Sequence, residues 1–170
     1  YVDYEHNQLS LRLGRQKLDT PLNDRDDIRM LPNTFEALTV GYGGVENFVF
    51  VGGYVTRWAG YDSGEDISAF KNILGDENGG MALVGVMNDS FTDIEMQAWY
   101  YNLDGVSSVG YADLVYASEY KNGVGIELGA QMGGYREKSS SSADGEAYGL
   151  LLRGSYSGLS LAFADNVVDA

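Results

Sequence analysis

The chain has no cysteine, two prolines and one histidine, and each scarcity closes off a class of protein. Without cysteine neither a disulfide framework nor a thiolate metal site can form, which fits an oxidising envelope compartment without requiring one. His6 has no Ser or Asp partner at a meaningful spacing, and no GxSxG, HExxH or phosphate-loop pattern occurs. Catalysis therefore finds no support, and no cofactor is expected. Positive charge is also scarce, with 11 Lys and Arg against 25 Asp and Glu and a net charge of −14. That balance argues against nucleic acid and against a polybasic membrane anchor. No apolar run reaches the roughly 18 residues of a membrane-crossing helix.

What is abundant points to strands and turns. There are 23 glycines, where average usage would give about 12, and 13 of the aromatic residues are tyrosine. The sequence opens at Tyr1 with no initiator methionine and no leader pattern, and reads as a piece of something larger.

The dominant periodicity is two. In Gly123–Gly134, Val124, Ile126, Leu128, Ala130 and Met132 oppose Gly125, Glu127, Gly129, Gln131 and Gly133. In Thr92–Leu103, Ile94, Met96, Ala98 and Tyr100 oppose Asp93, Glu95, Gln97 and Trp99. Ala147–Tyr156 and Leu9–Leu13 alternate in the same way. Residues two apart share a face of a strand, so each segment has one oily and one polar side. Asn33–Tyr42, Asn47–Trp58, Met81–Asn88, Val109–Glu119 and Leu159–Ala164 are less clean, and Asn47–Trp58 is apolar on both faces. The expectation is nine strands, several near the nine to eleven residues that a tilted strand needs to cross a bilayer core. A turn or two of helix is expected within Ile67–Leu74 and nowhere else.

The connections alternate in length: long at Asp19–Pro32, Ala59–Gly80 and Arg136–Glu146, medium at Asp104–Ser108, and short at the four between or beyond them. An up-and-down barrel of the outer membrane has tight turns at one end and extended loops at the other, whereas a soluble sandwich has no reason to sort loops by parity. Tyr42, Tyr54, Trp58, Tyr100, Tyr101, Tyr116, Tyr120, Tyr135, Tyr148 and Tyr156 fall mostly near strand ends, as the aromatic girdles of such barrels do, although tyrosine also populates strands generally. The fold class expected is all-β, an antiparallel up-and-down transmembrane barrel, with the whole chain one partial domain.

A sharper signal lies in Leu11–Val40, where an LGRQ strand (Leu13–Gln16) leads to LDTP (Leu18–Pro21) and then to DDIRMLPNTFEA (Asp26–Ala37). This segment resembles the OprD-type family of outer-membrane porins. The resemblance is sharp over about thirty residues and architectural over the rest. It implies a monomeric or trimeric barrel of about eighteen strands in the bacterial outer membrane, bounded by lipid. Such a barrel passes small polar solutes, in some members amino acids, peptides or organic acids. It places this chain in the N-terminal half, starting near the third strand. On that register Ala59–Gly80 is the third external loop, which folds inward to narrow the pore.

The polar side of the strands gathers Arg12, Glu95, Gln97, Glu127, Gln131 and Arg153. Opposite charges across a water-filled constriction create a transverse field that favours dipolar solutes, though any barrel interior must also be polar. The 59–80 loop supplies Asp62, Glu65, Asp66, Asp76 and Glu77 against Lys71. Folded inward, it makes the constriction negative, with Arg25, Arg29 and Arg57 as an opposing positive set; left outside, it is an acidic surface loop. Gly75–Gly80 and Asn23–Asp27 resemble calcium loops only faintly, lacking the alternating ligands and closing Glu. The competing classes are a surface or adhesion barrel without a pore, a soluble β-sandwich that binds a ligand, and, least supported, an outer-membrane enzyme.

Overall fold

The computed structural model describes residues 1–25, 32–63, 66–75, 79–138 and 144–169, the Asp62 side chain aside. Eleven strands form one antiparallel sheet: β1 (Val2–His6), β2 (Leu9–Gln16), β3 (Thr34–Val45), β4 (Phe48–Ala59), β5 (Lys71–Asn72), β6 (Met81–Phe91), β7 (Ile94–Leu103), β8 (Ser107–Glu119), β9 (Val124–Glu137), β10 (Asp144–Tyr156) and β11 (Leu159–Asp169). Neighbours in sequence are neighbours in the sheet throughout, except that short β5 pairs with β4 beside β6. From β3 onward the strands other than β5 run 10 to 14 residues, long enough to cross a bilayer core at a tilt.

Two strands lie beyond the nine expected. β1 is five residues long, too short a stretch to stand out, although Val2 and Tyr4 face outward and Asp3 and Glu5 face the other way. β5 falls where a helical turn is expected: its two residues pair with Trp58 and Arg57, which gives the segment an edge to add to and no helix to form. The parity of loop lengths holds except at one place. The 104–106 connection is longer than the turn at 92–93 but shorter than the connection at 120–123.

Turn chemistry explains the tight end. Asn7, Asn47 and Asp93 adopt positive φ of 51°, 61° and 65°, the left-handed conformation that Asn and Asp tolerate best among side-chain-bearing residues. Ser157 and Gly158 both have positive φ, 49° and 84°, as a two-residue turn matched to strand twist requires.

The cross-strand register sorts side chains onto two faces. One face carries Leu9, Leu11, Leu13, Leu38, Val84, Tyr100, Leu114, Leu128, Met132, Tyr148, Leu150, Leu152, Leu161 and Phe163. Most of these stay exposed; Leu161 keeps 72% of its surface open. That amount of open apolar surface has no place in water and fits lipid. The opposite face bears polar residues and, toward the loop end, the buried cluster Phe35, Ala37, Val55, Met81, Leu83, Trp99 and Tyr101. Leu18, from the connection after β2, completes that cluster. Thr20 and Asn23 bond backbone to backbone in both directions, and Asn33 N–H donates to Arg25 O at 2.7 Å. The 17–25 segment therefore lies against the inner face.

Gly85 makes room for this core. A Cβ there would sit 2.4 Å from Trp99 Cε3, so the indole can cross β6 only over a glycine. The 60–80 connection behaves differently from 17–25. Its β5 prolongs the ladder of β4, Ile73 packs on the core from the inner side, and Phe70 reaches the outer side to lie under Arg15. Over 70–73 this connection continues the wall upward.

Candidate pore wall

The inner face carries a hydrogen-bonded row across five strands. Trp99 Nε1 donates to Gln97 Oε1 at 2.7 Å, and Gln97 Nε2 donates to Asp113 Oδ2 at 2.7 Å. The Tyr111 hydroxyl lies 2.8 Å from the same Asp113 oxygen and 3.2 Å from Gln131 Oε1. With one proton to give, it donates to the carboxylate, and Gln131 meets it best with its amide nitrogen turned inward. Gln131 in turn reaches Asn166 at 3.4 Å, over β10. Gly149 permits that reach, since a Cβ there would come within 2.6 Å of both amides. The row is legible in the registers Gln97↔Asp113, Asp113↔Gln131, Gln131↔Gly149 and Gly149↔Asn166.

Two ion pairs flank it on the same face. Arg12 Nε meets Asp3 Oδ1 at 2.6 Å with its guanidinium 5.0 Å from the Tyr1 ring centroid. Arg153 Nη1 meets Glu127 Oε2 at 2.6 Å. Both pairs are directly cross-strand and partly exposed, so they orient the groups more than they stabilise the fold. Glu95, opposite Val115, projects from this face nearer the tight-turn end.

All six residues expected on the inner face of the strands, Arg12, Glu95, Gln97, Glu127, Gln131 and Arg153, thus share one side of the sheet. Arg57 does not join them. A bulge places Ala37 opposite Val55 and Glu36 opposite Arg57, so Thr56 is the extra residue and the alternation of β4 inverts beyond it. Arg57 faces outward, 3.8 Å from Glu36. Arg25 pairs with Asp19 at 3.1 Å. Asp66 is exposed and turns back on its own loop, accepting from Ser68 N at 3.0 Å and Ser68 Oγ at 2.7 Å, which holds its carboxyl below the usual range. Asp62 sits in the 3-10 turn Tyr61–Ser63. Arg29, Glu65, Asp76 and Glu77 lie outside the described residues, as does part of each faint calcium-loop string. No cluster of candidate metal ligands occurs among the described residues.

Alternation alone does not disclose Asp113, Tyr111 and Asn166. Asp113 and Tyr111 sit in a strand whose two faces are of mixed character, and Asn166 lies past the expected end of β11. Asp3 belongs to the strand that escapes notice altogether.

The model of outer membrane porins of the OprD family matches residues 5–164. The chain belongs to the OprD family of outer-membrane porins. As a member it is a protein of the outer membrane. Among solved structures it resembles OccK8 (OprE) of Pseudomonas aeruginosa, with a TM-score of 0.85 and 16% identity, covering 98% of this chain and 49% of that one. OpdK of P. aeruginosa, solved with vanillate, gives a TM-score of 0.84 at 16% identity, covering 98% and 46%. A BenF-like porin from Pseudomonas fluorescens Pf-5 gives 0.84 at 14%, covering 98% and 44%. At these identities the likeness is one of fold, and this OprD-family chain spans about half the length of the porins it matches. No curated protein sequence matches it.

Proposed function

We propose that the protein to which this wall belongs is a passive diffusion channel for small polar or charged solutes, driven by the solute gradient. The observation that carries the reading is the two-sidedness of the sheet: a lipid-compatible belt outside and a continuous hydrogen-bonded polar row inside. The pore-lining residues on this half are Arg12, Glu95, Gln97, Asp113, Glu127, Gln131 and Arg153. Leu18 holds the 17–25 segment against the inner face, which narrows the passage at the loop end. Asp66, in the loop after β4, adds charge at the outer mouth; Arg29 and Glu65 lie outside the described residues.

The inner charge is one-sided. Asp3, Glu5, Glu95, Asp113, Glu119, Glu127 and Glu137 face inward from the described strands against Arg12, Arg153 and, at the loop end, Lys71, and both arginines are engaged by carboxylates. A narrow path lined this way concentrates cations, so the wall favours cationic solutes or the ammonium end of zwitterions. OpdK has been solved with vanillate, a carboxylate; here both arginines of the long strands are engaged by carboxylates, and the cation left on the inner side of the described wall is Lys71 of β5, opposite Trp58 at the loop end. The remaining half of the barrel contributes its own charges, and a monomeric and a trimeric assembly are equally compatible with the wall.

The test uses the full-length protein in planar bilayers under a salt gradient. Asp113→Asn combined with Glu95→Gln is expected to move the reversal potential toward anion permeation. An unchanged reversal potential in channels of unchanged conductance would show that these carboxylates do not line the path.

A further inference from the structure

The outward face changes chemistry abruptly at the loop end. Leu13, Leu38 and Tyr54 make one cross-strand row of the apolar belt, and the next outward row is Arg15, Glu36 and Arg57. Two residues of strand carry the chain only about 7 Å further, which is the step from hydrocarbon into headgroups. Arg57 owes its place in this row to the bulge at Thr56, which turns it from the lumen to the lipid side.

Both guanidiniums are held in position. Arg15 Nε donates to Thr34 Oγ1 at 3.1 Å, and the Thr34 hydroxyl is anchored on Ala59 O at 3.4 Å. The Arg15 guanidinium lies 4.9 Å from the Phe70 ring centroid. Arg57 stands 3.8 Å from Glu36, and its side chain is 54% exposed. One carboxylate between two guanidiniums leaves a net positive charge. Elsewhere on this rim the bases are matched: Arg136 by Asp144 at 3.8 Å, and Lys138 in the field of Asp104 while it donates to Asn102 Oδ1 and Leu103 O. In a chain of net charge −14, positive charge exceeds negative in this row of the outward rim among the described residues.

We propose that Arg15 and Arg57 form a clamp for the phosphate of an anionic lipid headgroup in the outer leaflet. The chemistry fits: guanidinium forks match phosphate oxygens in pairs, and aromatic stacking limits the freedom that Arg15 must give up on binding. Glu36 keeps the two forks apart and on the same side of the wall. The belt row below, Leu13, Leu38 and Tyr54, receives the acyl chains of the same lipid. The clamp depends on the outer-membrane setting and not on what passes through the pore.

The test is native mass spectrometry of the full-length protein titrated in detergent with phosphatidylglycerol, diphosphorylated lipid A or phosphatidylcholine. The Arg15→Gln/Arg57→Gln double variant is expected to retain roughly fivefold less anionic lipid for each guanidinium removed. A charge-matched control on the same rim, Arg136→Gln/Lys138→Gln, is expected to retain the wild-type amount, and conductance in zwitterionic bilayers should be unchanged in both. Anionic-lipid adducts that survive the double variant, or fall equally in the control, overturn the proposal. Displacement of the lipid by millimolar inorganic phosphate would also overturn it, by revealing a site for free anions.

Discussion

Tyr54 donates its phenolic proton to Asp104 at 2.6 Å, joining residues 50 apart in sequence. The same Asp104 oxygen accepts from Gly80 N at 3.1 Å, and Asp104 N–H returns a bond to Gly80 O at 3.0 Å. One loop carboxylate thus fastens the base of the 60–80 connection to the start of the next loop and to a girdle tyrosine. The Tyr54 hydroxyl first, then the Gly80 amide, hold the Asp104 carboxyl below its usual value. A depressed carboxylate contributes above its ordinary pKa and loses that contribution as pH falls through the lowered one. The clamp should therefore be intact at neutral pH and open only below about pH 4. Hydrogen exchange at the Gly80 amide should accelerate in that window, and Asp104→Asn should flatten the dependence.

The pair Arg153 and Glu127 offers a sign test of the inner field. Removing the cation with Arg153→Gln exposes an uncompensated carboxylate, which should raise cation preference. Glu127→Gln exposes the guanidinium and should lower it. Reversal potentials of the full-length channel are expected to move in opposite directions in the two variants. Movement in one common direction would mean that pore shape, and not charge, is being altered.

Glycines that look alike in sequence should differ sharply in tolerance. Gly85 lies beneath Trp99, where an added methyl meets the indole, whereas a Cβ at Gly52 meets nothing within 4 Å. Gly85→Ala should cost about 1–3 kcal/mol by overpacking, and Gly52→Ala should change stability by less than about 0.5 kcal/mol. Urea unfolding of the full-length protein in lipid vesicles measures both.

What could be read from residue order alone follows from where alternation holds. Gln97 and Gln131 sit in strands with one oily face, and their inward placement follows from counting by twos. Arg57, expected inside only as a counter-charge to an inward-folded loop, faces outward because of a bulge that residue order does not reveal. Asp113 sits in a strand of mixed faces, on whose inner side Val109 and Tyr111 pack on the core while Asp113 faces the polar row. Burial of Leu18 has no periodic signature, since it depends on contacts with residues from β3 to β7 brought together by the sheet. The LDTP string marks the region through family resemblance, but resemblance does not say which of its side chains is the anchor.

Leu18 is that anchor, and its removal should change the channel more than the fold. It is 9% exposed among Phe35, Val55, Trp99, Tyr101 and their neighbours, while Leu22 in the same segment is 48% exposed. Leu18→Ala deletes a buried contact worth about 2–5 kcal/mol in a rigid core, here spent mainly on holding 17–25 to the wall. The strands keep their ladders, so global unfolding should shift little while the segment loosens locally. In planar bilayers the full-length Leu18→Ala channel is expected to show larger or noisier conductance, and limited proteolysis should cut within 17–33 sooner. Leu22→Ala should do neither. If Leu18→Ala channels match wild type in conductance and in protease resistance, the segment does not narrow the passage and the constriction lies elsewhere in the barrel.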